Sequence, residues 1–137
     1  MLTIDRLFDV PRHQLKNYPN PNMFVTKTNG IWVPLSTSDF LDAAMKASRG
    51  LISMGVKVGD RVAVASANRF EWNVLDIAVQ QVGAILVPLY PNISEADYRF
   101  ILNDAGVELC VVSNHELVEK ITSVRKDVPS LQHLFSF

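Results

Sequence analysis

The 137-residue chain has the length of one domain, and its 48% hydrophobic and 20% charged residues are typical of a folded globular protein rather than a disordered one. Thirteen Lys and Arg stand against fourteen Asp and Glu, so a formal charge of −1 gives no excess field that would favour nucleic acid or an anionic membrane as a partner. The single cysteine, Cys110, the lack of any apolar run of ~20 residues and the lack of a signal-peptide core together predict a cytoplasmic protein.

Residues 1–22 are predicted to form an irregular strap on the surface. Three prolines and three asparagines fall between residues 9 and 22, and this composition disfavours both a helix and a ladder strand. We therefore expect two regions in the chain: the strap at 1–22 and an α/β subdomain at 23–137.

A β-hairpin and a helix are predicted next. Residues 23–28 and 31–35 flank Asn29-Gly30, the dipeptide that tolerates positive φ at both central positions of a type I′ turn. Ser36 and Asp39 then have the spacing of a capping box, and apolar residues recur every three or four positions up to Gly55, the predicted helix stop. Gly50 weakens this helix by about 1 kcal/mol relative to alanine, and we expect the close approach of another backbone to explain its presence.

The rest of the chain repeats a strand followed by a helix. Apolar strands are predicted at residues 62–66, 84–89, 107–112 and 132–137. Asn68, Ser94 and Asn114 are placed to cap the intervening helices. Such runs, with little polar alternation, are typical of a parallel sheet covered on both faces. The predicted fold class is α/β: a layered parallel sheet with helices on both faces, preceded by a β-hairpin.

Few residues point directly to chemistry. Neither a dinucleotide-binding nor a P-loop glycine pattern occurs, and the three histidines lie far apart in sequence, so we predict no metal site. In open parallel sheets, ligands bind outside the carboxyl ends of the strands. Of the loops predicted there, those with Asn68 and Tyr90 are the best candidates to line a ligand crevice. A helix cap at Asn68 and an ordinary turn at Tyr90 would explain the same residues structurally.

Two other functions of this fold class find little support in these loops. A phosphoacceptor receiver domain needs an acidic cluster at the strand ends to hold Mg²⁺, and the loops at 66–69 and 90–92 contain no carboxylate. A flavin-binding module needs a hydroxyl-rich anion loop at a helix start, and Ser66 alone is thin support for one.

Three stretches resemble the amino-terminal region of adenylate-forming (AMP-binding) enzymes, most closely long-chain fatty-acid CoA ligases. They are residues 32–40, residues 50–64 with the pattern G-V-x-x-G-D-R-V, and residues 81–92 with V-G-A-x-x-V-P-L-Y-P. The similarity runs from about Phe24 to the end, and residues 118–137 resemble the long-chain branch in particular.

The resemblance implies that the parent enzyme joins ATP and a fatty acid into an acyl-adenylate, with release of pyrophosphate, and then transfers the acyl group to CoA with release of AMP. It implies ATP, Mg²⁺ and CoA for the parent. The family's phosphate loop, ribose-binding Asp and lid lysine have no counterpart here, so the resemblance assigns no catalytic residue and implies an incomplete part of the large domain, inactive alone and binding none of these molecules. Asn68 and Tyr90 are implied only as substrate-channel wall residues.

A non-catalytic, free-standing α/β binding or interaction module is the alternative function. Peripheral membrane contact of the parent is left open. Without the rest of the parent enzyme packed against it, the chain would also expose apolar surface, which we expect around Trp72 and Phe100. The chain could self-associate through this surface.

Overall fold

The computed structural model describes residues 4–137, which divide into two compact units. The first unit comprises the described residues up to Val56 together with Arg69–Val82, and the second comprises Lys57–Asn68 together with Gly83–Phe137. The chain thus returns to the first unit for a single helix. The expected division into a segment 1–22 and a subdomain 23–137 stays a prediction.

The first unit contains a β-hairpin and three α-helices. In chain order it comprises a 3₁₀ turn Leu7–Asp9, helix α1 Val10–Asn17, strands β1 Phe24–Thr28 and β2 Ile31–Leu35, helix α2 Thr37–Ser53, and helix α3 Phe70–Val82. β1 and β2 pair antiparallel. Asn29 and Gly30 between them both have positive φ, 51° and 83°, as a type I′ turn requires. The predicted hairpin is therefore confirmed.

Helix α1 contradicts the irregular strap predicted over residues 10–17. Pro11 lies in the first turn of the helix, where a backbone N–H would have no helical acceptor, so the proline costs no hydrogen bond. Pro19 lies beyond the helix end at Asn17. One proline thus lies in the first turn and another beyond the last, so neither interrupts the helix. The prediction was wrong because it used the composition of the segment without the positions of its prolines. Residues 1–3 of the strap lie outside the described residues.

Three phenylalanines join the hairpin to the helices of the first unit. The ring centroid of Phe24 on β1 lies 5.2 Å from that of Phe40 on α2 and 5.3 Å from that of Phe70 on α3. Tilted and edge-on aromatic pairs at such distances add to the free energy gained by burying their area. Ala44, Val74 and Ile77 complete this buried cluster.

The capping box predicted for α2 is present, but the explanation predicted for Gly50 is wrong. The Asp39 backbone N–H donates to Ser36 Oγ at 3.1 Å, and the Ser36 backbone N–H donates to the Asp39 carboxylate at 2.8 Å. A Cβ atom placed on Gly50 would meet no atom of residues 4–137 within 4 Å. No backbone therefore packs so closely that it requires a glycine there.

We expect Gly50→Ala to stabilise the protein by about 1 kcal/mol, because alanine lowers the backbone entropy of the unfolded chain and favours the helix. Urea denaturation followed by circular dichroism would measure the change. Gly55→Ala is the matched control: Gly55 follows the same helix with φ of 90°, so alanine should destabilise the protein there. A neutral or destabilising Gly50→Ala would contradict the prediction.

The second unit is a parallel sheet with two helices. It comprises β3 Arg61–Ala65, β4 Ile85–Leu89, α4 Glu95–Asp104, β5 Leu109–Val112, α5 His115–Arg125 and β6 His133–Ser136. The strands lie in the order β4-β3-β5-β6, and every neighbouring pair is parallel. The predicted α/β class is confirmed: a parallel sheet flanked by helices, with a β-hairpin preceding it in the chain.

One apolar cluster holds the second unit together. The four residues from Val62 to Ala65 are fully buried, as expected for a central strand of a parallel sheet. Ala63 and Ala65 face a cluster built with side chains of α4, β5 and α5, including Tyr98, Leu102 and Ile121, all three fully buried. Within residues 4–137, none of the helices is both long enough and apolar enough to span a bilayer.

Candidate functional site at the carboxyl edge of the sheet

The loops that follow the parallel strands meet at one edge of the second unit. Ala65 of β3 is in register with Leu89 of β4 and with Val112 of β5. The residues just after these strands, 66–68, 90–93 and 113–114, are therefore brought together at what we call the carboxyl edge. Both predicted wall residues, Asn68 and Tyr90, lie there.

The strand order identifies where on this edge a crevice should open. The chain passes from β3 to β4 on one side and then crosses back to β5 on the other side of β3. In open α/β sheets, ligands bind at this kind of reversal, here between the loops after β3 and β5. Asn68 borders that position directly, Ser113 faces it from the β5 side, and Tyr90 lies one strand further along.

Asn68 is exposed and does not have the predicted capping role. Helix α3 begins at Phe70, two residues later, and the Asn68 side chain makes no hydrogen bond within the described part of the chain. The Glu71 carboxylate, three residues after Asn68, accepts two 2.8 Å hydrogen bonds from the Arg69 guanidinium. That ion pair lowers the pKa of Glu71, so the carboxylate is already engaged. The Asn68 amide is left facing solvent.

Tyr90 has an exposed ring on a loop whose backbone is fixed. It follows β4 directly, and 78% of the residue is accessible to solvent. The Tyr98 hydroxyl donates to the Tyr90 carbonyl oxygen at 2.7 Å, and the Lys120 ammonium donates to the Ile93 carbonyl oxygen at 3.1 Å. Sequence reasoning missed both donors. The sequence did contain a signal for Tyr98. It lies four residues before Leu102, on the same apolar face of the helix, and a tyrosine buried on such a face needs a hydrogen-bond acceptor for its hydroxyl.

Burial determines the ionisation of the two titratable groups beneath this edge. It raises the pKa of Tyr98 to about 12, with a smaller contribution from Cys110, and it raises the pKa of the Cys110 thiol to about 12. At neutral pH the Tyr98 hydroxyl therefore keeps the proton that it donates to the loop. The Cys110 thiol stays protonated, in a form that is neither nucleophilic nor metal-binding.

The third loop has the structural role that its residue types indicated. Asn114 Oδ1 accepts a hydrogen bond from the Leu117 backbone N–H at 2.9 Å. Asn114 is thus the cap of α5, as predicted.

Two observations concern the binding of cations and anions by the described residues. Across residues 4–137, no three His, Cys, Asp or Glu side chains are grouped so that they could hold a metal ion. The start of α4, where an anion would otherwise bind, is occupied by its own carboxylate: Asp97 accepts hydrogen bonds from Ser94 Oγ at 2.6 Å and from the Ser94 backbone N–H at 3.2 Å. We therefore assign no phosphate-transfer or metal-dependent step to these residues.

Comparisons with known proteins give a consistent result. The family model described as "AMP-binding enzyme" matches residues 11–136. The long-chain-fatty-acid–CoA ligase FadD15 of Mycobacterium bovis is 32% identical over 106 residues, which are 77% of this chain and 18% of that protein. This chain thus spans about a fifth of that relative.

Two further matches are a solved structure, which shows a shared fold, and an uncharacterized protein that is similar in sequence. The N-terminal domain of FACL13 from Mycobacterium tuberculosis superposes with a TM-score of 0.84 at 18% identity, over 98% of this chain and 34% of that one, which shows the shared fold. Rv1549, an uncharacterized protein of the same organism, is 26% identical over 102 residues, which are 74% of this chain and 58% of Rv1549. The matched segment is therefore more than half of Rv1549.

Proposed function

Because this chain belongs to the AMP-binding enzyme family, we propose that it contributes a structural part of an acid–thiol ligase that acts on long-chain fatty acids. That ligase would join ATP and a fatty acid into an acyl-adenylate, releasing pyrophosphate. It would then transfer the acyl group to the thiol of CoA, releasing AMP. The observation that carries the proposal is the 32% identity to a protein named as a long-chain-fatty-acid–CoA ligase.

The proposed role of this chain is to build one wall of the ligand crevice rather than to perform chemistry. Asn68 presents an exposed amide beside the reversal in strand order, and Tyr90 presents an exposed ring one strand away. In this proposal neither side chain acts as a general base, a nucleophile or a metal ligand. In this proposal, ATP, Mg²⁺ and CoA bind to other parts of the ligase, the ligase is cytoplasmic, and the isolated chain is inactive.

A chimera would test this proposal. The segment of this chain that matches FadD15 would replace its counterpart in that ligase, and AMP release would be measured with ATP, CoA and hexadecanoate. We expect AMP release that depends on both the fatty acid and CoA, whereas the isolated chain in the same assay should release none. A chimera that unfolds cooperatively but releases no AMP with any fatty acid would overturn the proposal, as would AMP release by the isolated chain.

A free-standing binding or interaction module is the second candidate. The observation that favours it is the match to Rv1549, since the matched segment makes up more than half of that protein. Phe100 offers such a module an exposed apolar side chain, 68% accessible. A folded but inactive chimera would favour this function, and an active chimera would favour the ligase.

A further inference from the structure

The loop at residues 90–93 is held at both ends by side chains from two different helices. Tyr98 of α4 donates to the carbonyl oxygen of Tyr90 at 2.7 Å, and Lys120 of α5 donates to the carbonyl oxygen of Ile93 at 3.1 Å. Without these bonds, the two carbonyls would have to find water or another donor. The path of the loop is therefore set by two donors from outside it.

Tyr98 suits this role because its ring is fixed by packing. The residue is fully buried, in a cluster that includes Leu89 at the end of β4 and Leu102 on its own helix. The side chain has only two rotatable bonds, and the surrounding packing restricts both. Its hydroxyl thus projects from the core to a defined point below the loop.

Lys120 contributes a charge that is not used in a surface ion pair. Among residues 4–137, no carboxylate lies within ion-pair distance of its ammonium group. That group instead lies 5.8 Å from the centre of the Tyr98 ring and donates to the Ile93 carbonyl. A hydrogen bond from a charged donor is stronger than one between neutral groups, and the contact with the ring ties the two donors together.

We infer that Tyr98 and Lys120 are positioning residues, which fix the backbone of the 90–93 loop and so hold Tyr90 at the β4 side of the crevice, where its ring contacts the fatty-acyl chain. This inference rests on the proposed function for the identity of the ligand. Its structural half, the fixing of the loop, holds independently of the ligand. With its backbone fixed, Tyr90 has only its two side-chain torsions left to be ordered when a ligand binds, which lowers the entropic cost of the contact.

Two substitutions remove the donors while keeping most of the side-chain volume. Tyr98→Phe removes only the hydroxyl, and Lys120→Met keeps the aliphatic stem but removes the charge. Lys126→Met is the matched control, because Lys126 is exposed just beyond the same helix, at its C-cap. If Tyr98→Phe does not fold, Lys120→Met still tests the inference, since its side chain lies closer to the surface.

Backbone ¹⁵N relaxation of the isolated chain is the direct test. In both variants we expect the order parameters of Asn92 and Ile93 to fall from the rigid range, about 0.85, towards 0.6, while those of β5 stay unchanged. In the Lys126→Met control, the order parameters of Asn92 and Ile93 should not change. Unchanged order parameters in a folded variant would overturn the inference. A fall of similar size throughout the second unit would also overturn it, because it would indicate a general loss of packing. A fall in only one variant would overturn the assignment of the other residue.

The FadD15 chimera gives the functional readout. There we expect either substitution to raise the KM for hexadecanoate about fivefold, as the loss of one net hydrogen bond implies, with kcat little changed. An unsubstituted chimera without activity would count against the proposed ligase. The relaxation measurements would then still test whether Tyr98 and Lys120 fix the loop. An active chimera with an unchanged KM in both variants would show that the loop does not contact the acyl chain and would overturn the functional half.

Discussion

Replacing Leu102 by alanine should lower the free energy of unfolding by about 2–5 kcal/mol. Leu102 is fully buried in the core of the second unit, where it packs in one cluster with Tyr98 and Ile121. Alanine would leave a cavity that side chains from the sheet and two helices could only partly fill. Because Leu102 and Tyr98 lie one turn apart on α4, the same cavity should loosen the packing that fixes the Tyr98 hydroxyl. Urea denaturation followed by far-ultraviolet circular dichroism would measure the loss.

Phe100→Ala is the matched control, two residues away on the same helix. Phe100 is 68% exposed, so its removal should change the free energy of unfolding by no more than about 0.5 kcal/mol. Equal losses in the two variants would show that α4 packs through a different face.

Phe100→Ala also tests the predicted self-association. If Phe100 belongs to an exposed apolar surface through which copies of the chain associate, light scattering should show less association after the substitution.

Local signals in the sequence predicted most elements of the fold. Asn29-Gly30 specified the hairpin because few other dipeptides tolerate positive φ at both positions. Ser36 with Asp39 and Ser94 with Asp97 located two helix starts, because each pair satisfies backbone donors that would otherwise lack partners. The apolar runs then predicted parallel strands without their order.

The predictions that were wrong depended on the exact position of a residue in a helix or on packing between elements, and residue type alone indicates neither. Pro11 was taken to exclude a helix, although the first turn tolerates proline. Asn68 has the residue type of a cap, but α3 starts two residues later. Gly50 seemed to need a packing explanation, and none exists in the structure.

The candidate site was predicted only in outline. Asn68 and Tyr90 could be placed at the carboxyl edge because loops after parallel strands must meet there. The reversal in strand order between β3 and β5 could not be read from the sequence, since β5 could also have paired with β4 instead of with the free side of β3. The support of the loop by Tyr98 and Lys120 depends on how the two helices pack, which local patterns do not encode.

Arg61 is the charged side chain of the G-V-x-x-G-D-R-V pattern, and the structure gives it a structural role. Its guanidinium donates to the carbonyl oxygens of Ala105 at 2.8 Å, Gly106 at 3.0 Å and Gly59 at 3.3 Å. The first two carbonyls lie at the carboxyl end of α4, where a positive charge also interacts favourably with the helix dipole. One side chain thus joins the turn before β3 to the end of α4.

We expect Arg61→Met to lower the free energy of unfolding by about 3 kcal/mol, because it leaves several partly buried carbonyls without a charged donor. Arg61→Lys should recover only part of this loss, since an ammonium group lacks the planar fork that reaches carbonyls on both sides. Arg49→Met, at an exposed position on α2, is the control and should have little effect in the same urea titration. If Arg61→Met left stability unchanged but abolished AMP release in the chimera, the pattern would mark a group that acts in the reaction. If stability falls as expected, Arg61 is a structural residue of this chain: its hydrogen bonds hold the end of α4 against the turn before β3, and they carry no information about which acid the proposed ligase would activate.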